Sequence, residues 1–209
     1  MSANLNICEI FYSLQGESTF SGMPCIFIRL SGCNLDCSYC DTKYAFAEGR
    51  EISITEILIE IAKYPCKLVE ITGGEPMLQD ECISLMETLH TQEYRIMLET
   101  NGSIYLGDVP SYVKKILDVK TPGSGFGASF MKWNLKLLNP SDELKFVITC
   151  YDDYRFARDF LDRNSCKDNI ILFSPVLSVL PAETLVEWML RDGVSARLQL
   201  QLHRLLKLR

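Results

Sequence analysis

Cys25-Ile26-Phe27-Ile28-Arg29-Leu30-Ser31-Gly32-Cys33-Asn34-Leu35-Asp36-Cys37-Ser38-Tyr39-Cys40-Asp41-Thr42 is the stretch from which the rest of the chain can be read. An apolar, β-branched segment runs straight into a loop whose cysteines are spaced CxxxCxxC. Such residues pack well on a pleated surface, so Cys25 to Leu30 reads as a strand with the cysteine loop at its end. A structural zinc site wants four protein ligands in a closed tetrahedron, whereas three thiolates leave a coordination position open for a small molecule. A four-iron cluster held through three of its irons is the thiolate-rich form of that arrangement. The rival is a zinc knuckle completed by His90 or His203, neither of which has a ligand spacing to the loop.

Outward from this stretch, similar apolar runs recur at Lys67 to Thr72, Arg95 to Glu99, Ile116 to Lys120, Glu143 to Thr149, Asn169 to Phe173 and Ala196 to Leu202. Between them Ser53 to Tyr64, Asp80 to His90, Asp152 to Asn164 and Pro181 to Arg191 carry apolar residues three or four apart, the period of a helix with one buried face. Regular alternation of strand and helix implies a mostly parallel sheet with helices outside it. A full eight-fold barrel takes about 250 residues, so 209 residues with fewer repeats predict a single domain, residues 1–209, folded as an incomplete TIM-like β/α barrel. Leu5 to Tyr12 adds a strand ahead of the first repeat, and ligands are expected at the C-terminal ends of the strands. Thr121 to Ser129, with Pro122, Gly123, Gly125 and Gly127, reads as a loop and a candidate lid.

A hydrophobic fraction of 47% with 23% charged residues suits a substantial core, and a net charge of -6 argues against a nucleic-acid partner. The longest apolar stretch, Ile170 to Leu180, is broken by Ser174, Pro175 and Ser178, so no membrane span is expected. Met1 to Ile10 shows no basic region leading into an apolar run, which reads as a cytoplasmic protein. Nine cysteines, an odd number, then read as thiols rather than a disulfide framework.

Further polar groups stand at strand ends. Thr72-Gly73-Gly74-Glu75-Pro76 closes the second repeat, with two glycines that let a ligand approach the backbone and a carboxylate for a positively charged group. Glu99-Thr100-Asn101-Gly102 closes the third, and Asp118-Val119-Lys120 the fourth. Each alone would be a turn or a solvated rim.

Together these motifs resemble the radical S-adenosylmethionine (radical SAM) superfamily. Within it the ordered set Leu14-Gln15-Gly16-Glu17, Arg29, Cys40-Asp41-Thr42 and Gln199-Leu200-Gln201-Leu202-His203-Arg204 looks like the 7-carboxy-7-deazaguanine synthase family over nearly the whole chain. The resemblance implies a [4Fe-4S] cluster on Cys33, Cys37 and Cys40. It implies SAM bound by Tyr39, Cys40, Asp41, Gly73, Gly74, Glu75, Asn101, Asp118, Val119 and Lys120, and Mg2+ on Thr42. It implies a pterin substrate, 6-carboxy-5,6,7,8-tetrahydropterin, met by Leu14, Gln15, Gly16, Glu17, Arg29, Thr72 and His203. It also implies loss of ammonia by a carbon–nitrogen lyase, an external flavodoxin- or ferredoxin-type reductant, and a homodimer. Arg29 suits a carboxylate because its guanidinium can grip both oxygens through parallel N–H bonds; the bland alternative is a strand-end ion pair. Thr42 has its own bland alternative, a helix N-cap. His203 falls in the predicted last strand, where alternation puts Gln199, Gln201 and His203 on one face, inward or outward. The chain ends without the proline that often closes related chains, so no substrate contact is expected from Arg209. A glycyl-radical-enzyme activase is the nearest alternative function, and a zinc-binding interaction module a more distant one.

Overall fold

The computed structural model describes residues 3–47, 49–164, 166 and 168–208; Arg209 lies outside them. Strand β1 (Asn4–Leu14) pairs antiparallel with β2 (Pro24–Leu30) and with β3 (Arg50–Ser53). From β2 the sheet continues in parallel through β4 (Leu68–Gly73), β5 (Arg95–Thr100), β6 (Lys114–Asp118), β7 (Glu143–Ile148), β8 (Ile170–Pro175) and β9 (Arg197–Leu198). β3 and β9 end the order β3-β1-β2-β4-β5-β6-β7-β8-β9, so the curved sheet stays open: an incomplete β/α barrel. Helices α1 (Ile54–Ile61), α2 (Glu81–Thr91), α3 (Tyr151–Arg163) and α4 (Ala182–Asp192) occupy the predicted crossovers. Ser53 starts α1 with a capping box, its hydroxyl accepting from Glu56 N–H while the Glu56 carboxylate accepts from Ser53 N–H.

The inner strands bury two faces. In β2, Ile26, Ile28 and Leu30 face the helices and pack with Ile57 and Leu85, while Cys25 and Phe27 point into the barrel. Phe11, Phe20, Cys25, Phe27, Leu68, Met97 and Ile116 form this inner apolar layer. Above it the inward positions turn polar: Arg29 on β2, Glu70 and Thr72 on β4, Glu99 on β5, Asp118 on β6 and Lys145 on β7.

Two local expectations are corrected, and one strand had not been expected. The predicted last strand, Ala196 to Leu202, pairs only at Arg197–Leu198, and a short helix α5 (Leu202–Leu205) follows, so His203 is not a strand residue. The strand stops because its edge gives way to contacts with the β1–β2 loop, where Leu202 N–H donates to Gly16 O at 3.0 Å. β3 was not foreseen: four residues with one apolar side chain buried carry too little pattern. Residues 121–129 are a bracket rather than a lid. Thr121 and Ser124 are buried, Ser38 N–H and hydroxyl donate to Ser124 O and Gly123 O, and Gly123 N–H donates to Asp153 on α3.

Candidate active site

The cysteine loop leaves β2 at Ser31 and is held from both sides. Gly32 N–H donates to Ala45 O at 2.9 Å, and Gly32 O accepts from Glu75 N–H at 2.8 Å. At Gly74 a Cβ would come within 2.1 Å of Gly32 O and 2.7 Å of Cys33 Cβ, so only glycine lets the second motif lie against the cysteine loop. Asn34 ties the loop to the end of β5, donating to Ser103 Oγ at 2.8 Å and accepting from Asn101 Nδ2 at 3.0 Å. Cys33, Cys37 and Cys40 are free thiols lining one cleft of about 400 Å³. Burial pushes the Cys33 and Cys37 thiols up, with Lys120 opposing it. Among the described residues no three His, Cys, Asp or Glu side chains converge as a single-ion site would require. Thiolates of a four-iron cluster each meet a different iron and stand further apart. Three free thiols of one loop lining one cleft suit a cluster bound through three of its irons, and the unpartnered oxygen of Asp118 gives a cofactor beside it a polar contact.

One wall belongs to the ends of β4, β5 and β6. Gly73, Gly74, Asn101, Asp118 and Lys120 line the cleft, as do Tyr39 and Asp41 from the cysteine loop. Asp118 Oδ2 pairs with Lys120 at 3.0 Å and Lys145 at 3.3 Å, and its buried Oδ1 has no partner among the described residues. Burial alone would raise this carboxyl, but the two ammonium groups hold it below the usual aspartate range. Two predicted residues lie elsewhere. Val119 faces the helices, and Glu75 is fully buried behind the cleft, accepting from Met77 N–H at 3.0 Å, Thr100 hydroxyl at 2.7 Å and Asn101 N–H at 2.7 Å.

The floor is approached from the opposite end. The β1–β2 loop passes beneath the sheet, where Thr19 donates to Glu143 at the start of β7 and Phe20 stacks under Arg95 at 4.2 Å. Leu14, Gln15, Gly16 and Glu17 thus enter the cleft from the N-terminal ends of the strands. Gln15 is locked at both ends of its amide, donating to Glu70 and accepting from Glu17 N–H at 3.0 Å. Glu70 is 4% exposed, and burial followed by the charge of Glu99 drives its carboxyl well above the usual value. Glu17 accepts from Lys145 at 2.6 Å and from Gln201 at 2.7 Å. Thr72 hydroxyl donates to Glu99 at 3.2 Å, and Lys145 also binds Glu99. Arg29 donates through Nε to Glu9 at 2.9 Å, the ion pair foreseen as its bland alternative, yet its side chain still lines the cleft.

Residues 199–208 close the open side. Gly16 has no room for a side chain, since a Cβ would meet His203 Nδ1 at 2.2 Å, and the His203 ring faces Asp41 at 4.0 Å. His203 therefore lines the cleft from α5. Thr42 lines it beside Cys40, its hydroxyl 3.6 Å from Cys40 Sγ. Although Thr42 precedes a short turn of helix at 43–46, its hydroxyl makes no cap. Sequence reading missed Glu9, Glu70 and Lys145. Its usable signal was charge at inward positions of strands buried on both faces, where an ionised group needs an internal partner.

Comparison with known proteins accords with this geometry. Residues 27–127 match the radical SAM superfamily, which defines the class: an open β/α barrel that implies a [4Fe-4S] cluster and SAM. The chain is 44% identical to the 7-carboxy-7-deazaguanine synthase of Koribacter versatilis, covering 96% of both chains. It is 41% identical to that of Chlorobaculum tepidum, covering 97% of this chain and 94% of the relative. The crystal structure of QueE from Escherichia coli superposes with a TM-score of 0.82 at 25% identity, covering 96% of this chain and 95% of that one. The chain belongs to the 7-carboxy-7-deazaguanine synthase family. Among the described residues no helix is long and apolar enough to cross a membrane.

Proposed function

We propose that the chain converts 6-carboxy-5,6,7,8-tetrahydropterin to 7-carboxy-7-deazaguanine with release of ammonia. The observation that carries this reading is that the three-cysteine loop and the Gln15–Glu17, Arg29 group line a single cleft, in a chain whose near-full-length relatives bear that activity in their names. Bound at Cys33, Cys37 and Cys40, the cluster with SAM supplies a 5′-deoxyadenosyl radical. The rest is the work of side chains. Arg29 has its Nε engaged by Glu9, which orients the guanidinium and leaves its terminal N–H edge for a substrate carboxylate. Gln15, with its amide fixed by Glu70 and Glu17, offers a donor and an acceptor of set orientation to the pterin ring. Gly16 and His203 close the cleft's side, which excludes water from a reactive intermediate.

Thr42 is the Mg2+ ligand in this reading, supported by a hydroxyl that lines the cleft without capping its turn. Mg2+ keeps several waters, so one protein oxygen suffices when substrate oxygens join it. The reading extends to SAM contacts from Tyr39, Cys40, Asp41, Gly73, Gly74, Asn101, Asp118 and Lys120. It also makes the protein a carbon–nitrogen lyase of the cytoplasm, one domain per subunit of a homodimer, reduced by a flavodoxin or ferredoxin. The test is anaerobic incubation of reduced, cluster-loaded protein with SAM, Mg2+ and the tetrahydropterin, with mass-spectrometric detection of the deazaguanine. Reductive cleavage of SAM with no deazaguanine formed would overturn the assignment.

A further inference from the structure

Lys145 sits at the centre of the cleft floor with only 3% of its surface exposed. Its ammonium meets three carboxylates from three elements: Glu17 of the β1–β2 loop at 2.6 Å, Glu99 of β5, and Asp118 of β6 at 3.3 Å. Burial alone would lower this ammonium, yet the three carboxylates hold it well above the usual lysine value. Each carboxylate has a second partner: Glu17 accepts from the neutral Gln201 amide, and Asp118 pairs with Lys120. Glu99 accepts in addition from the neutral Thr72 hydroxyl, its one further hydrogen bond among the described residues. Glu70 stands behind with a fourth carboxyl, and Arg29 beyond it is engaged by Glu9. The floor thus carries more acceptor oxygens than ammonium groups to meet them, and Arg29, level with Thr72 on the neighbouring strand, brings a cation to the β2 end of the same cleft.

That polarity matches a ligand with N–H donors along one edge and a carboxylate at the opposite end. We propose that Lys145 is a positioning residue for substrate specificity. Its ammonium holds Glu17 and Glu99 as a fixed pair of acceptors, which read the amino- and N–H-bearing edge of a 2-amino-4-oxo pyrimidine ring. Through Asp118 it ties that pair to the wall expected to hold SAM. The inference rests on the pterin reading above. It adds the ring edge that is recognised, the acidic pair that recognises it and the buried cation that sets the pair.

The test compares two ligands by anaerobic equilibrium dialysis against cluster-loaded protein with SAM. One is pterin-6-carboxylate; the other is lumazine-6-carboxylate, in which an oxo group replaces the 2-amino group. Wild type is expected to prefer the pterin by about a hundredfold or more, because the lumazine turns an oxygen toward acceptor oxygens. Lys145→Met is expected to cut that preference to less than about tenfold. In Glu99→Gln/Lys145→Met one of the carboxylates that the lysine holds is neutralised along with it. This double variant is expected to regain pterin affinity over Lys145→Met, a recovery that loss of packing alone would not give. Wild-type preference retained in Lys145→Met overturns the inference alone. A wild type that binds neither ligand overturns the pterin reading and this inference with it. If Lys145→Met does not fold, Lys145→Gln takes its place as the single variant, and a wild-type pterin preference retained in it overturns the inference.

Discussion

Glu75 and Thr42 show how far a single residue's role departs from what its motif suggests. The Gly-Gly-Glu-Pro run reads as a carboxylate offered to a ligand, but the Glu75 oxygens accept from Met77 N–H, Thr100 hydroxyl and Asn101 N–H, bracing the ends of β4 and β5 against each other. A carboxylate has about four acceptor positions, so one further donor can still be met. Glu75→Ala would strand three donors behind the cleft, and the expected cost is on the order of 3 kcal/mol or more, read by urea unfolding of the metal-free protein. A loss below about 1 kcal/mol would mean that water replaces the carboxylate. Thr42 is the converse case, a cap by position whose hydroxyl caps nothing. Thr42→Ala is expected to leave cluster content and SAM binding intact while the stimulation of turnover by Mg2+ falls about tenfold or more; unchanged Mg2+ dependence would remove Thr42 from the metal site. The loop cysteines, Gly73, Gly74, Asn101 and Arg29 were legible because chemistry at strand ends leaves local marks. Lys145, Glu70 and Glu9 were not, because strand register across the sheet, rather than any neighbour in sequence, gives them partners.

At the scale of elements, the β1–β2 loop and the C-terminal segment make one device. The loop is anchored beneath the barrel by Thr19 on Glu143 and Phe20 on Arg95, which turns Gln15, Gly16 and Glu17 upward into the cleft. The segment 199–208 then lies across it, through Leu202 N–H to Gly16 O and Gln201 to Glu17. The alternation Leu198, Leu200, Leu202 spoke for a strand, and tertiary contact with Gly16 overrode it. Gly16 is the pivot, since an added Cβ would fall 2.2 Å from His203 Nδ1 and 3.0 Å from its backbone nitrogen. Gly16→Ala is therefore expected to lift the segment and break the Gln201–Glu17 bond, raising KM for the pterin about tenfold at unchanged cluster content. Trypsin should then cut faster at Arg204 and Lys207. A variant with wild-type KM and wild-type resistance to trypsin would show that the segment does not shape the pterin side of the cleft.

Over the whole molecule, the barrel keeps most of its hydrophobic burial between sheet and helices, sets a smaller apolar layer at the bottom of its interior, and spends the rest of that interior on charge. Two of these groups respond to pH with opposite sign. Asp118 is held below the ordinary value of 3.8, so its contribution to stability is present above that value and lost as pH falls through the folded one. Glu70 is held well above the ordinary value of 4.5, by burial first and the Glu99 charge second. Its contribution is full below 4.5 and is lost as pH rises through the folded value. Glu75, also raised by burial, acts in the same direction as Glu70. The two windows do not overlap, so above 4.5 the slope belongs to the raised glutamates and not to Asp118. The metal-free protein should then lose resistance to urea on going from about pH 5 to about pH 7. Glu70→Gln keeps an acceptor for Gln15 without an ionisable group. It should remain more stable than wild type at the upper pH and flatten the slope, leaving the smaller part due to Glu75. Equal slopes for the two proteins would mean that water reaches Glu70 in the cleft and that the floor does not store this charge.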